Sequence, residues 1–171
     1  MVDVPYQCAE ISNPLMMQKI VRVESSGNPL AIGVVGGRLE RQPKNLLEAV
    51  ATVKALEQLR MNYSIGISQV NRIHFSRLGW KENIAAGFDV CPNLKAGAGI
   101  LNDCYNGALE AGYASSGATH VYSASEAALS CYYSGRFKGQ DGYVRKVLGA
   151  VSAAVPRSNT FGKKTAFTMF D

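Results

Sequence analysis

Asn13-Pro14-Leu15-Met16-Met17-Gln18-Lys19-Ile20-Val21-Arg22-Val23-Glu24-Ser25-Ser26-Gly27-Asn28-Pro29 carries a helix with both of its ends written in. Asn13 suits the N-cap, and Pro14 suits the first helical position, where its missing N–H costs nothing. An apolar run over residues 15–23 follows, and the helix is expected to stop at about residue 25. Gly27 accepts the left-handed geometry of a helix end, and Asn28-Pro29 prevents resumption. Glu24 is thereby delivered, as a lone carboxylate, to a helix terminus. A carboxyl at such a junction can pack against apolar walls on one side and face a cleft on the other. Desolvation would then favour the neutral acid and raise its pKa, as a general acid needs near neutral pH. A solvated Glu near a helix end is the plainer reading, and the rest of the chain decides between the two.

Residues 30–35, then Gly36-Gly37, then residues 38–41 read as a short β-hairpin, with the glycines supplying positive φ. Asn45 and Glu48 have capping-box spacing before a helix whose apolar side is Leu46, Leu47, Val50, Val53, Leu56 and Leu59. Residues 63–71 are too short and too rich in Gly and Ser for a long element, and predict a turn with a brief strand or helix. Pro92 opens a helix running to about residue 111, with Leu94, Ala98, Leu101, Tyr105 and Ala108 on one side. Ser123 and Glu126 form a second capping box, before a helix that reaches Ser134 and stops at Gly135. A last helix covers residues 141 to about 153 and carries Tyr143, Val144, Val147 and Leu148. Periodicity ends at Pro156. Residues 1–155 therefore read as one domain and residues 156–171 as a flexible C-terminal tail. The expected class is α+β, mostly α-helical, with one small β-hairpin excursion.

A chain of 171 residues with 47% apolar content is long enough for one domain with a real core, which excludes general disorder. The net charge of +5 suits an acidic polymer. The positive residues are scattered, and no basic stripe is interleaved with aromatics, so nucleic acid is not the expected partner. No apolar run is long enough to span a bilayer, so an integral membrane protein is not expected. Met1-Val2-Asp3 reads as a new start joined to a mature exported chain, with the signal peptide not included.

Cys8, Cys91, Cys104 and Cys131 form an even set without paired Cys-x-x-Cys spacing, and two histidines add little ligation. No metal or cofactor is expected. If residues 92–111 form one helix, Cys91 and Cys104 lie about 20 Å apart, beyond disulfide reach. Cys104 is as far from the end of its helix as Cys131 is from the start of the next, so antiparallel pairing brings these two together. Cys8 and Cys91 each precede a helix start and remain as the other pair. Two disulfides, Cys104–Cys131 and Cys8–Cys91, and with them an oxidising compartment are the expectation, with four buried free thiols in a cytosolic protein as the plainer reading of the count.

Two further segments bear on chemistry. In Tyr63-Ser64-Ile65-Gly66-Ile67-Ser68-Gln69-Val70-Asn71, small Gly66 and Ser68 allow close backbone approach, while Gln69 and Asn71 offer amides suited to sugar hydroxyl and acetamido groups. An ordinary polar turn is the plainer account. Ser130-Cys131-Tyr132-Tyr133-Ser134-Gly135 ends a helix, where Tyr132 can aim its hydroxyl at Glu24 and Tyr133 can stack on a sugar ring. Two core tyrosines are the alternative.

Together these segments resemble the goose-type-lysozyme-like lytic transglycosylases of peptidoglycan. The order is that family's: Glu-Ser-Gly-Asn-Pro on a first helix, Gly-Leu-Met-Gln in a turn and Ala-Tyr-Asn-Ala-Gly late in the domain. The subgroup attached to type IV secretion systems is most similar, through Ala31-Ile32-Gly33-Val34-Val35-Gly36-Gly37, residues 66–71 and Cys131-Tyr132-Tyr133-Ser134-Gly135. The resemblance spans residues 8 to about 150 and implies a lysozyme-like fold. Carried over by position, it implies that Glu24 is the catalytic acid, with Ser25 the hydroxyl beside it. Gln69 becomes the glutamine of the cleft turn and Tyr132 the tyrosine near the catalytic carboxyl. Two departures stand out: Ile67-Ser68 replaces Leu-Met, and Tyr133 stands where the broader family has Asn.

The resemblance also implies the reaction. A two-carboxylate glycosidase needs a second acid across the scissile bond, and these motifs hold none. A single acid, Glu24, would cleave between N-acetylmuramic acid and N-acetylglucosamine and leave a 1,6-anhydro ring. The implied setting is the periplasm, opening the wall for a secretion or conjugation apparatus whose subunits are the expected partners. A water-using muramidase and a non-catalytic wall-binding assembly protein remain the alternatives.

Overall fold

The computed structural model describes residues 8, 11–115 and 122–150. Helix α1 (Pro14–Glu24) starts where the sequence places it, with Asn13 Oδ1 accepting from the Met16 N–H at 3.3 Å. It ends as the Ser25 N–H closes onto the Val21 carbonyl and Gly27 takes φ +82°. Met17, Ile20 and Val21 are buried along its inner face. At 21 residues, α4 (Val90–Glu110) is the longest element and the spine of the molecule. Leu94, Ala98, Leu101 and Ala108 are buried on it, and each such leucine contributes about 1.5–3 kcal/mol. Helix α5 (Ala124–Ser134) packs along α4, with a complete Ser123/Glu126 capping box at its start and Gly135 at φ +73° after its end. Helix α6 (Asp141–Leu148) packs on α1 and α5 and buries Val144 and Val147; positions 151–153 of the longer helix expected there lie outside the described residues.

Both expected disulfides are present, Cys104–Cys131 joining α4 to α5 and Cys8–Cys91 joining the N-terminal stretch to the start of α4. Their Cα atoms are 5.8 and 5.2 Å apart, and no free cysteine remains. The expected tail, residues 156–171, lies outside the described residues. Among the described residues no helix is long and apolar enough to cross a membrane.

Beside α4 lies a smaller half built on a three-stranded antiparallel sheet in the order β1 (Ile32–Val34), β2 (Tyr63–Ile65), β3 (Val70–Asn71). Ile32 faces Ile65, and Ile65 faces Val70. This corrects the expected hairpin, because residues 38–41 form no strand and β1 pairs with β2 instead. The chain does turn back at Gly36 (φ +74°), but a side chain does the pairing. Gln42 accepts from the Ile32 N–H at 2.8 Å and donates to the Ile32 carbonyl at 3.0 Å, as a neighbouring strand would.

Helix α2 (Leu46–Gln58) also differs from expectation. Its buried face is Ala49, Val53 and Leu56, while Leu47 and Leu59 are 82% and 71% exposed. The face that meets the sheet is marked by a small residue, Ala49, and not by the bulkiest ones. Its capping box is half formed: Asn45 Oδ1 accepts from the Glu48 N–H at 2.9 Å, but the Glu48 carboxylate turns to Arg41 and the Lys44 N–H. Between β3 and α4 run a 3-10 turn (Arg72–His74), α3 (Phe75–Leu78) and a second 3-10 turn (Ile84–Phe88). These pack Phe75, Trp80 and Phe88 under the sheet.

The molecule is thus a mostly α-helical α+β domain, as the sequence predicts. One core lies among α1, α4, α5 and α6, and the other lies under the sheet. Tyr132 packs against both.

Candidate active site

Glu24 is the last residue of α1, and its Oε1 accepts a hydrogen bond from the Tyr143 hydroxyl at 2.6 Å. The carboxyl opens into a cavity of about 350 Å³ shared with Val23, Tyr133, Asp141, Tyr143 and Lys146. Burial pushes the Glu24 pKa above its ordinary value, while the Tyr143 hydrogen bond and the charge of Lys146 pull the other way. Burial also raises the Tyr143 phenol, and the neighbouring Glu24 adds to the effect, so Tyr143 stays protonated and acts as the donor. The site therefore holds a carboxyl biased toward its neutral form, with a donor in place for the anion.

Ser25 does not face that cavity. Its hydroxyl donates to the Ile67 carbonyl at 2.7 Å, lies 3.1 Å from the Val21 carbonyl and accepts from the Gly27 N–H at 3.1 Å. It fastens the end of α1 to the turn between β2 and β3. In that turn Gly66 has φ +79°, and a Cβ there would come 2.8 Å from the Gly87 carbonyl and collide with the Asn93 amide. Asn93, fully buried on α4, organises the turn: it accepts from the Ser68 N–H at 2.7 Å and donates to the carbonyls of Ile65 (3.0 Å) and Gly87 (2.8 Å).

Ser68 is fully buried against Gly97 of α4, where a Cβ would stand 2.7 Å from the Ser68 Cβ. The Gln69 amide nitrogen donates to the carbonyls of Ala31 and Gly66, both at 3.0 Å, and so joins the turn to the start of β1. Asn71 donates to Asn62 at 2.9 Å and accepts from the Ile73 N–H at 3.1 Å, capping the following 3-10 turn. Of these side chains, Gln69 and Asn71 hold backbone.

Tyr132 calls for a correction. Its hydroxyl donates to the Ser68 carbonyl at 2.7 Å and not to Glu24. The side chain runs between the two cores, and the missing side chain of Gly97 leaves room for its oxygen. The phenol is raised by burial and by the nearby Glu24, so it lies near the carboxyl without bonding to it. Tyr133, the next residue along α5, points to the cavity; it is 57% exposed and stacks on Tyr143 with ring centroids 4.5 Å apart.

The sequence profile of the transglycosylase SLT domain matches residues 6–142. The chain belongs to that family. It is 44% identical over 151 residues to the type IV secretion system protein virB1 of Brucella abortus, a match covering 84% of this chain and 60% of that protein. The Brucella suis protein of the same name matches to the same extent. Protein virB1 of Agrobacterium fabrum is 30% identical over 154 residues, covering 88% of this chain and 58% of its own. The chain thus spans less than two thirds of the length of these relatives. No solved structure matches it.

In this transglycosylase SLT domain, Glu24 and Tyr133 line the cavity, whereas Ser25, Gly66, Ser68, Gln69, Asn71 and Tyr132 do not. Sequence reading missed Tyr143, Lys146 and Asn93. Tyr143 was visible only as one apolar position of the last helix, and nothing local in the sequence ties it to Glu24. A second carboxylate at the cavity, Asp141 in the first turn of α6, was also missed because it lies outside the three motifs.

Proposed function

We propose that this chain is a peptidoglycan lytic transglycosylase that cleaves the β-1,4 bond between N-acetylmuramic acid and N-acetylglucosamine. The observation that carries the reading is Glu24 itself, a desolvated carboxyl at a cavity wall with its Oε1 held by Tyr143. Neutral Glu24 protonates the glycosidic oxygen, and the bond to the muramyl anomeric carbon breaks. The muramyl acetamide steadies the developing positive charge. Glu24, now anionic and holding the Tyr143 hydrogen bond, takes the proton from the muramyl 6-hydroxyl as that oxygen bonds to the anomeric carbon. The acid is regenerated, and the product is a 1,6-anhydro ring. Proton transfer from a positioned group contributes roughly 10²–10⁴-fold, and the intramolecular attack gains further from proximity.

Two disulfides fit an oxidising compartment, and together with the virB1 relatives they support a periplasmic setting where the wall is opened for a type IV secretion apparatus. Subunits of that apparatus are the proposed partners.

Asp141 at the same cavity favours a second reading, hydrolysis with a carboxylate that activates water. Mass spectrometry of products from purified sacculi separates the two. Anhydro-muramyl ends, lighter by one water, are expected; reducing muramyl ends would establish the muramidase reading. Glu24→Gln is expected to keep its melting temperature and lose wall cleavage by roughly 10²-fold or more. A variant that still cleaves would mean that another residue is the acid.

A further inference from the structure

Tyr133 occupies a position whose neighbours tie it to the acid through one intermediary. Its ring lies over that of Tyr143 at 4.5 Å between centroids and 26° between planes, and Tyr143 in turn donates to Glu24 at 2.6 Å. The two tyrosines come from different helices, α5 and α6, joined by a loop with glycines at positive φ, Gly135 at +73° and Gly139 at +92°. Helix α6 has just 8 residues; it buries Val144 and Val147 and packs the half-buried Tyr143 ring against the same core. Its far end is tied to α1, where Lys19 donates to the Leu148 carbonyl at 2.9 Å. Where the Tyr143 ring borders the cavity it meets Tyr133 in the stack.

We propose that Tyr133 is a positioning residue for the reaction: by stacking on Tyr143 it fixes the direction in which the Tyr143 hydroxyl meets Glu24. This rests on Glu24 being the acid. One face of the Tyr133 ring is occupied by Tyr143, and separate kcat and KM effects distinguish this role from that of a sugar platform. Aromatic pairs of this kind carry a preference large enough to hold a ring in one orientation. Displacing a catalytic hydrogen bond by a fraction of an ångström is enough to slow a proton transfer.

The test uses the full chain on soluble, uncrosslinked glycan strands from peptidoglycan, with kcat and KM measured separately across pH. Tyr133→Ala is expected to lower kcat roughly three- to tenfold with little change in KM. Tyr133→Phe, which keeps the stack, should recover most of that loss. In a Tyr143→Phe background, where no hydroxyl remains to be aimed, Tyr133→Ala should add less than about twofold. The basic limb of the kcat profile should move in the same direction as in Tyr143→Phe.

A rise in KM with kcat and the pH limb unmoved would overturn the proposal and leave Tyr133 a sugar platform alone. Full additivity with Tyr143→Phe would overturn it too. Tyr133 is 57% exposed, so its truncation opens no buried void; should Tyr133→Ala fail to fold, Tyr133→Leu serves the same comparison. Glu24→Gln is run alongside: cleavage retained there sinks the assignment of the acid, whereas cleavage lost there with a silent Tyr133→Ala sinks the positioning role only.

Discussion

The helical half and the sheet half of this domain are held together by different means. Around α1, α4, α5 and α6, apolar side chains recur at helical spacing, two disulfides tie the elements, and caps at Asn13 and Ser123 set where helices begin. In the sheet half the strands are two or three residues long, too short to be stable through their own ladders. There, amide side chains take over backbone pairing: Gln42 completes β1, Gln69 bridges Ala31 to Gly66, and Asn93 binds three backbone groups at once. Glu24 belongs to the helical half and the turn between β2 and β3 to the sheet half, and the halves meet at the Ser25–Ile67 and Tyr132–Ser68 hydrogen bonds. A cleft built this way takes its chemistry from rigid helices and its shape from polar side chains that substitute for strands.

The sharpest way to break that contrast is Asn93→Leu. The substitution keeps the branched outline and the number of side-chain heavy atoms, with bulkier ends, but leaves the Ser68 N–H and the carbonyls of Ile65 and Gly87 buried without their partner. At about 1–3 kcal/mol for each buried unsatisfied group, a loss of roughly 3–5 kcal/mol is expected, read from the midpoint of urea unfolding. Leu94→Ala, one residue away on the same helix, removes only apolar packing and should cost about 2–5 kcal/mol. Cleavage should suffer more in Asn93→Leu than in Leu94→Ala at temperatures where both are folded, because the turn fastened to Ser25 loses its anchor. An Asn93→Leu variant less than 1 kcal/mol below the parent would mean that the short strands hold themselves.

The same contrast explains what was legible. Helices α1, α4 and α5 and both disulfides follow from caps, periodicity and helix rise, all local quantities. Helix α2 was found, but its buried face was misplaced, because bulk was counted and the small Ala49 marks the contact. The hairpin was read from Gly36-Gly37, while the side chain that replaces its second strand, Gln42, follows in a stretch with no strand pattern. Glu24 was legible as a candidate acid only once the two later segments and the family resemblance were added to its helix end. Its donor was not, because Tyr143 lies 119 residues away in the chain and is brought to Glu24 only by the packing of α6 on α1.

Tyr143→Phe sharpens the comparison from the helical side. Under the proposed mechanism Glu24 works in its neutral form, so activity falls as pH rises through its pKa, which burial holds above 4.5. The Tyr143 hydrogen bond favours the anion and partly offsets that rise. Without it, the pKa should climb further and the basic limb of the pH–rate profile should move to higher pH. The rate itself should drop roughly ten- to a hundredfold, because the anionic stage loses a charge-assisted donor. Stability follows the same sign. A carboxyl raised in the folded state contributes fully below 4.5, and that contribution is lost as pH rises through the folded value. Tyr143→Phe should push this loss to higher pH, and Glu24→Gln should abolish it. A basic limb that stays in place in Tyr143→Phe would show that Tyr143 does not hold the reacting carboxyl in solution.

The smallest effect belongs to α2. If its apolar stripe were the one that bulk suggests, Leu47→Gln would expose a hole in the core and cost several kcal/mol. Leu47 is 82% exposed, however, and Gln is nearly as good a helix former as Leu. A change within about 0.5 kcal/mol is therefore expected, with unaltered cleavage. Val53→Ala, on the fully buried face one and a half turns further along, should cost more, about 1–2 kcal/mol from lost burial and the space left behind. The order of these two values is the decisive reading, because each serves as the other's control on the same helix. Should Leu47→Gln prove the more damaging, the stripe written in the sequence would be covered in the intact protein. The sheet half would then carry a second contact face on α2, on the side opposite Ala49, Val53 and Leu56.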